Sequence, residues 1–306
     1  MIEKILTLIL STGVTMTVPI LFSALGEIYD QRAGVLNLGL EGMMTLSAFV
    51  ALLVGFSTGS YLMGTLAAIS VGALMALIHG FACVKIGVNQ IIAGLLLVTL
   101  ADGIADFSYA SYVKLSGVPR IAPLQPIDIP GLSQIPVLGP VLFRQNILVY
   151  LAFLFAIVFG FVLFKTTWGL KIRGAGENPE ACDAAGINVN RIRYLCVILS
   201  GVMAGFGGAF LTLGYLGLYG STIAGGRGWI AIIVVILSCW SPYRAILGSL
   251  IFGIGYSAAN TFIGIGIGVS SYVLQLVPYV TALIVIIFMF KRTKGPSALA
   301  VPYRRK

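Results

Sequence analysis

The chain has 306 residues, of which 58% are hydrophobic and 9% charged, with a mean hydropathy of +1.02. That composition excludes a water-soluble globular protein. A bilayer-spanning helix needs roughly 20 apolar residues, so about nine of them account for nearly all of the apolar content. What lies between the apolar runs is too short for a separate soluble domain of about 50 residues, and any ATP hydrolysis must come from a partner.

Uncharged runs predict spans near residues 5–26, 34–54, 61–83, 91–111, 146–164, 194–216, 228–241, 245–262 and 270–290. The first run is too long for a cleaved signal peptide and reads as a retained span. The seventh has only about 14 residues, is preceded by Gly225, Gly226 and Gly228 and is followed by Pro242, the pattern of a broken helix. Positive charge resists translocation. Arg32, Lys85, Lys165, Lys171, Arg173, Arg191, Arg193, Arg244, Lys291, Arg292, Lys294, Arg304, Arg305 and Lys306 fall on one side, and Lys4, Lys114, Arg120, Arg144 and Arg227 on the other. This bias predicts the N-terminus outside and the C-terminus inside. The chain then reads as one transmembrane domain over 1–306, with a Pro-rich extracytoplasmic loop at 112–145 and a cytoplasmic loop at 165–193. Span 1 pairs with span 6, and span 2 with span 7, in opposite senses, the arrangement of an inverted-repeat transporter.

Several motifs are dismissed on physical grounds. The four cysteines show no C-x-x-C spacing and His79 is the single histidine, so a disulfide framework is not expected and an H-E-x-x-H zinc site is excluded. The lipase-like sequence Gly55 to Gly59 contains Ser57, but His79 lies roughly 30 Å away along a helix. His79 itself suits a capping or interfacial role.

Asn37 and Glu41 are four residues apart, which on a helix puts them on one face of span 2. An intramembrane acid faces protein or water, so two readings stand: Glu41 braces a neighbouring helix, or it lines a polar route. Asp102 and Asp106 in span 4 share one face in the same way, as a cation relay or as packing and interfacial groups. Tyr215 and Asn260 are further candidates for the route on the second half of the chain. In the cytoplasmic loop, Asn178 as N-cap, Pro179 at the first helical position and Gly186 past the end define a short surface helix. Glu177, Glu180, Ala181 and Ala184 belong to the same stretch, which suits docking in the groove of a soluble partner.

Three blocks carry a resemblance: RAGVLNLGLEGMM at 32–44, GENPEA at 176–181 with AGI at 185–187, and GRGWIA at 226–231. In this order they resemble the permease family of bacterial ABC importers for branched-chain amino acids, simple sugars and nucleosides. The first block most resembles the nucleoside permeases, while Trp240-Ser241-Pro242-Tyr243 stands where the family more usually has Gly-Trp-Asn-Pro. The resemblance implies an all-α helical bundle built on inverted repeats in a bacterial plasma membrane. It also implies a cytoplasmic ATPase that uses ATP, a second and non-identical permease subunit, and an external substrate-binding lipoprotein. On this reading the chain is a non-catalytic transport subunit with no cofactor of its own. The different-class alternative is an ion-coupled secondary transporter using Asp102 and Asp106.

Overall fold

A computed structural model describes residues 2–266, 270–289 and 294–303. Of the basic tail, Lys291, Arg292, Arg304, Arg305 and Lys306 lie outside the described residues.

The apolar runs become helices, and side-chain caps fix where half of the helices begin. In chain order these are α1 (Ile2–Arg32), α2 (Leu40–Thr58), α3 (Tyr61–Gly80) and α4 (Gln90–Ser116), then α5 (Ile147–Lys165), α6 (Thr167–Glu177) and α7 (Pro179–Ala184). They are followed by α8 (Val189–Ala209), α9 (Arg227–Leu237), α10 (Pro242–Ile265), α11 (Ser271–Gln275) and α12 (Val277–Met289). Asn89, Asn146, Thr166 and Asn188 each accept a hydrogen bond from a backbone N–H in the first turn of α4, α5, α6 and α8, satisfying donors that the helix leaves orphaned. Helices α3 and α8 run on into π-helical turns, Phe81–Ile86 and Phe210–Leu216. Seven helices among the described residues are long and apolar enough to cross a bilayer; α9 has only 11 residues.

Helices α2 and α8 form the centre, with 72% of their membrane-length stretches buried, against 28% for α4 and 33% for α5 at the periphery. Lipid tails are as apolar as leucine, so helices associate in a bilayer through close packing rather than through water release. Glycine supplies the closeness. A Cβ on Gly72 of α3 would run into the Gly201 carbonyl of α8, one on Gly201 into the Gly72 carbonyl, and one on Gly208 into the Met44 carbonyl of α2. Gly201→Val is therefore expected to cost at least about 1–3 kcal/mol of packing strain. A lowered thermal midpoint and poor yield in detergent would register it, and wild-type values for both would contradict this contact.

The segment between α4 and α5 is tied down at both ends. Residues Ile127–Asp128 (β1) and Arg144–Gln145 (β2) pair antiparallel, and the Asp128–Arg144 ion pair at 3.0 Å crosses them. Ile121 N–H donates to the Gly217 carbonyl at 3.0 Å and Leu124 N–H to that of Leu213 at 2.8 Å, which pins the segment over the end of α8.

Two differences from the sequence reading concern the first two spans. Helix α1 does not stop near residue 26 but continues to Arg32, carrying Glu27, Asp30 and Gln31 into full burial. Charge marked this stretch as a loop because the sequence does not display the partners that satisfy it. Span 2 starts later than expected: residues 35–37 have no regular secondary structure, and α2 begins only at Leu40. The loop at 165–193 likewise holds a helix that had no counterpart in the sequence reading, α6, in front of the short helix at 179–184.

Candidate functional site

The break between α1 and α2 is a buried polar node. Asn37 is fully buried and lies ahead of α2, so it shares no helical face with Glu41, contrary to the spacing argument. Its side-chain oxygen accepts from Gly39 N–H at 2.9 Å, a local turn that replaces helix geometry, and its amide nitrogen donates to Ser200 Oγ at 3.3 Å. Glu27 accepts from Asn37 N–H at 3.1 Å, from Gln31 Nε2 at 2.8 Å and from Ser200 Oγ at 3.4 Å. Gln31 in turn accepts from Trp240 Nε1 at 2.7 Å. His79 Nε2 sits 3.1 Å from the Leu36 carbonyl, and Gln90 Oε1 accepts from Leu36 N–H at 2.7 Å. An exposed backbone stretch inside a bilayer would leave polar groups unsatisfied; here side chains from α1, α3, α4 and α8 satisfy it.

Glu41 occupies the first turn of α2 and reaches the start of α9. Its two carboxyl oxygens accept separately from Gly226 N–H and Gly228 N–H, each at 2.7 Å. The N-termini of both helices thus converge on one acidic side chain, where their dipoles favour negative charge. The sequence allows this because Gly226 adopts φ +80 as the N-cap of α9, and because a Cβ on Gly228 would lie 2.5 Å from the Glu41 backbone nitrogen. Of the two readings left open for Glu41, the brace to a neighbouring helix has direct geometry.

On the other side of α9's N-terminus, Arg227 lies over the Tyr256 ring at 4.8 Å and its Nη2 reaches Met16 Sδ at 3.7 Å. It is half-buried at the first position of α9, and its Nη1 donates to the Ile223 and Ala224 carbonyls of the preceding loop at 3.2 and 3.1 Å. Tyr256 and Tyr279 both donate to the Gly225 carbonyl, at 2.9 and 3.3 Å.

Asp102 and Asp106 are half-buried on α4. Tyr219 donates to Asp106 at 3.0 Å, and its ring packs against Tyr109 at 4.9 Å and Phe49 at 5.6 Å. Tyr215, half-buried in the π-helical turn after α8, and Asn260, exposed on α10, are not joined to Asn37 or Glu41 by any hydrogen bond among the described residues. Arg193, Arg227, Tyr219 and Tyr256 were not legible as site residues. The signal for Glu27, Asp30 and Gln31 was present, as polar residues three and four apart at the end of an apolar run.

The short helix α7 forms with Asn178 as its cap, accepting from Ala181 N–H at 2.9 Å, and with Pro179 in its first turn. Gly186 follows the C-cap with φ +79. Cys182 turns inward onto Gly174 of α6, and burial pushes its thiol up. Glu177, Glu180, Ala181 and Ala184 remain exposed.

The family described as "Branched-chain amino acid transport system / permease component" matches residues 9–290. The nucleoside ABC transporter permease protein NupC of Lactococcus lactis is 33% identical over 312 residues, 97% of each chain. The guanosine ABC transporter permease protein NupQ of Bacillus subtilis is 33% identical over 323 residues, 99% of this chain and 98% of its own. TsgC13 of Haloferax volcanii, named as a glucose ABC transporter permease, is 37% identical over 80% of this chain and 75% of its own. Among solved structures, an inward-facing ABC transporter of metal-chelate type superposes with a TM-score of 0.51 over 93% of this chain and 85% of its own, at 14% identity, a likeness of fold. With a family match over most of its length and an ABC permease fold, this chain belongs to the branched-chain amino acid transport system permease family, as an integral-membrane subunit of an ABC importer that works with an ATPase and a substrate-binding protein.

Proposed function

We propose that this permease carries nucleosides inward, in nine crossings with the N-terminus outside and the C-terminus inside. The observation that carries the substrate is the match over nearly the whole chain to two relatives named for nucleoside and guanosine transport. A simple sugar is the second reading, favoured by the 37% identity to TsgC13 over a shorter stretch. The family assignment replaces the ion-coupled alternative. ATP is hydrolysed by a separate ATPase subunit, with a second permease completing the pathway.

The crossing of α2 and α9 at Glu41 supports an inverted-repeat reading, because in such transporters a broken helix from each half directs its N-terminus at the midplane. Asn37 and Glu41 shape this crossing, with Tyr215 and Asn260 as route residues of the second half. Asp102 and Asp106 extend the polar surface along α4. Half-buried acids on a spanning helix are not stable against lipid, so water or another protein subunit must cover them. A nucleoside brings hydroxyls that donate to carboxylates and a base that stacks on rings such as Tyr109.

Uptake by cells that express the full transporter, with labelled guanosine, uridine and glucose in competition, tests the substrate. Glucose uptake that nucleosides fail to inhibit would overturn the nucleoside reading. In the same assay Asp106→Asn is expected to raise the KM for nucleoside about tenfold, the loss of about 1.4 kcal/mol. An unchanged KM would remove Asp106 from the route. A cysteine placed at Ala181 tests orientation. It is expected to be shielded from impermeant reagent in intact cells, and external labelling would reverse the topology.

A further inference from the structure

Residues 294–303 form a strap across the end of the bundle where α1 meets α2. Ala300 N–H donates to the Gly34 carbonyl at 3.1 Å and Ala298 N–H to the Gly176 carbonyl at 2.8 Å, so the strap backbone bridges the α1–α2 junction and the end of α6. Ser297 donates from both its N–H and its hydroxyl to Glu177, at 3.3 and 3.0 Å. Tyr303 donates to Asp183 of α7 at 3.0 Å. Val301 accepts from Arg193 Nη1 at 2.8 Å, while the same guanidinium donates through Nε to the Ala33 carbonyl at 3.1 Å. One short segment therefore holds α6, α7, α8 and the start of the Asn37 node together.

The need for such a brace follows from the shape of α7. It has six residues and is joined to α6 through Asn178 alone and to α8 through a turn in which Gly186 has φ +79. Both joints can absorb a displacement of α7 before it reaches the membrane helices. The strap bypasses them, linking Asp183 to Gly34 through the four residues Ala300–Tyr303.

A second arrangement of the same groups is available. Asp30 is fully buried and, among the described residues, neither of its carboxyl oxygens has a hydrogen-bond partner; Arg193, 1% exposed, has an unpartnered Nη2. The two lie close enough to act on one another electrostatically. A buried guanidinium is thus committed to a strap carbonyl with one nitrogen unpartnered, while the buried Asp30 carboxyl goes without a donor, an imbalance that a bond between the two would remove.

We propose that the strap 294–303 is a transmission element, making α7 and the α1–α2 junction move as one body, and that Arg193 exchanges the Val301 carbonyl for Asp30 when the strap shifts. The proposal rests on reading α7 as the helix that faces the ATPase. Ser297, Tyr303, Arg193 and Asp30 act through the junction and are positioning residues.

The test uses the complete transporter in proteoliposomes, with wild type defining the amount of substrate moved per ATP hydrolysed. Ser297→Ala combined with Tyr303→Phe removes two side-chain bonds at the protein surface without disturbing the bundle. We expect ATP hydrolysis within twofold of wild type and transport lowered about tenfold. Asp30→Asn, which preserves volume, should lower the same ratio. A ratio unchanged in both variants, whether the two rates stay normal or fall together, would overturn the proposal and leave the strap a folding element. The underlying reading fails differently: Ala184→Arg with normal ATPase binding would remove α7 from the interface, whereas an inactive Ala184→Arg beside normally coupled strap variants would sink the strap alone.

Discussion

Glu41→Ala is expected to abolish transport and to lower thermal stability, the largest effect of any single truncation near the two broken helices. Two N–H groups, that of buried Gly228 and that of half-buried Gly226, lose their acceptor at once. Each costs about 1–3 kcal/mol when left unsatisfied, and the N-terminus of α9 loses a favourable charge as well. No water-facing surface is at hand to compensate, since Glu41 is only 9% exposed. Glu41→Gln should fall between, because the amide keeps one acceptor but turns an NH2 towards the second donor. Uptake and thermal melting of the purified protein, measured side by side, decide it. Wild-type uptake and melting in Glu41→Ala would mean that the crossing is not held by this side chain.

What could be read ahead of the structure follows the range of the interactions. Helix α7 was legible down to its cap, because Asn178, Pro179 and Gly186 act on backbone within a few residues of themselves. Most long spans were legible for the same reason, since hydropathy is a property of a contiguous stretch. The Asn37 node was not, because it is assembled from α1, α3, α4 and α8, and a sequence records none of those meetings. Asn37 and Glu41 were rightly singled out as polar residues in an apolar run, but the helical face assigned to them was wrong: the Asn37 side chain bonds to Gly39 N–H and stops the helix from starting there. The reach of Glu41 to Gly226 and Gly228 was hinted at only by two glycine-rich stretches on opposite halves of the chain. The strap at 294–303 gave no signal at all. Its bonds are mostly through backbone, which any sequence can make.

The final expectation concerns energy coupling. Ala184→Arg should leave the permease in the membrane and abolish ATP hydrolysis stimulated by substrate. Ala181 and Ala184 are exposed on α7, whose inward side is occupied by Cys182 against Gly174, so a long charged side chain at 184 projects outward and does not disturb the packing beneath. An ATPase groove shaped for a small residue would have to exclude the arginine or bury its charge without a partner, and either outcome costs several kcal/mol. Loss of the cap is a milder probe of the same element. Asn178→Ala removes the acceptor for Ala181 N–H and should cost the helix about 1 kcal/mol, weakening coupling without ending it. Glu180 offers less leverage, because an exposed pair with a basic partner contributes about 0–1 kcal/mol. Co-purification of the ATPase with each variant, followed by hydrolysis in the presence and absence of substrate-loaded binding protein, gives the ranking Ala184→Arg, Asn178→Ala, Glu180→Ala in order of decreasing damage. A reversed order, with Glu180→Ala the most severe, would mean that α7 is recognised by its charge and not by its shape.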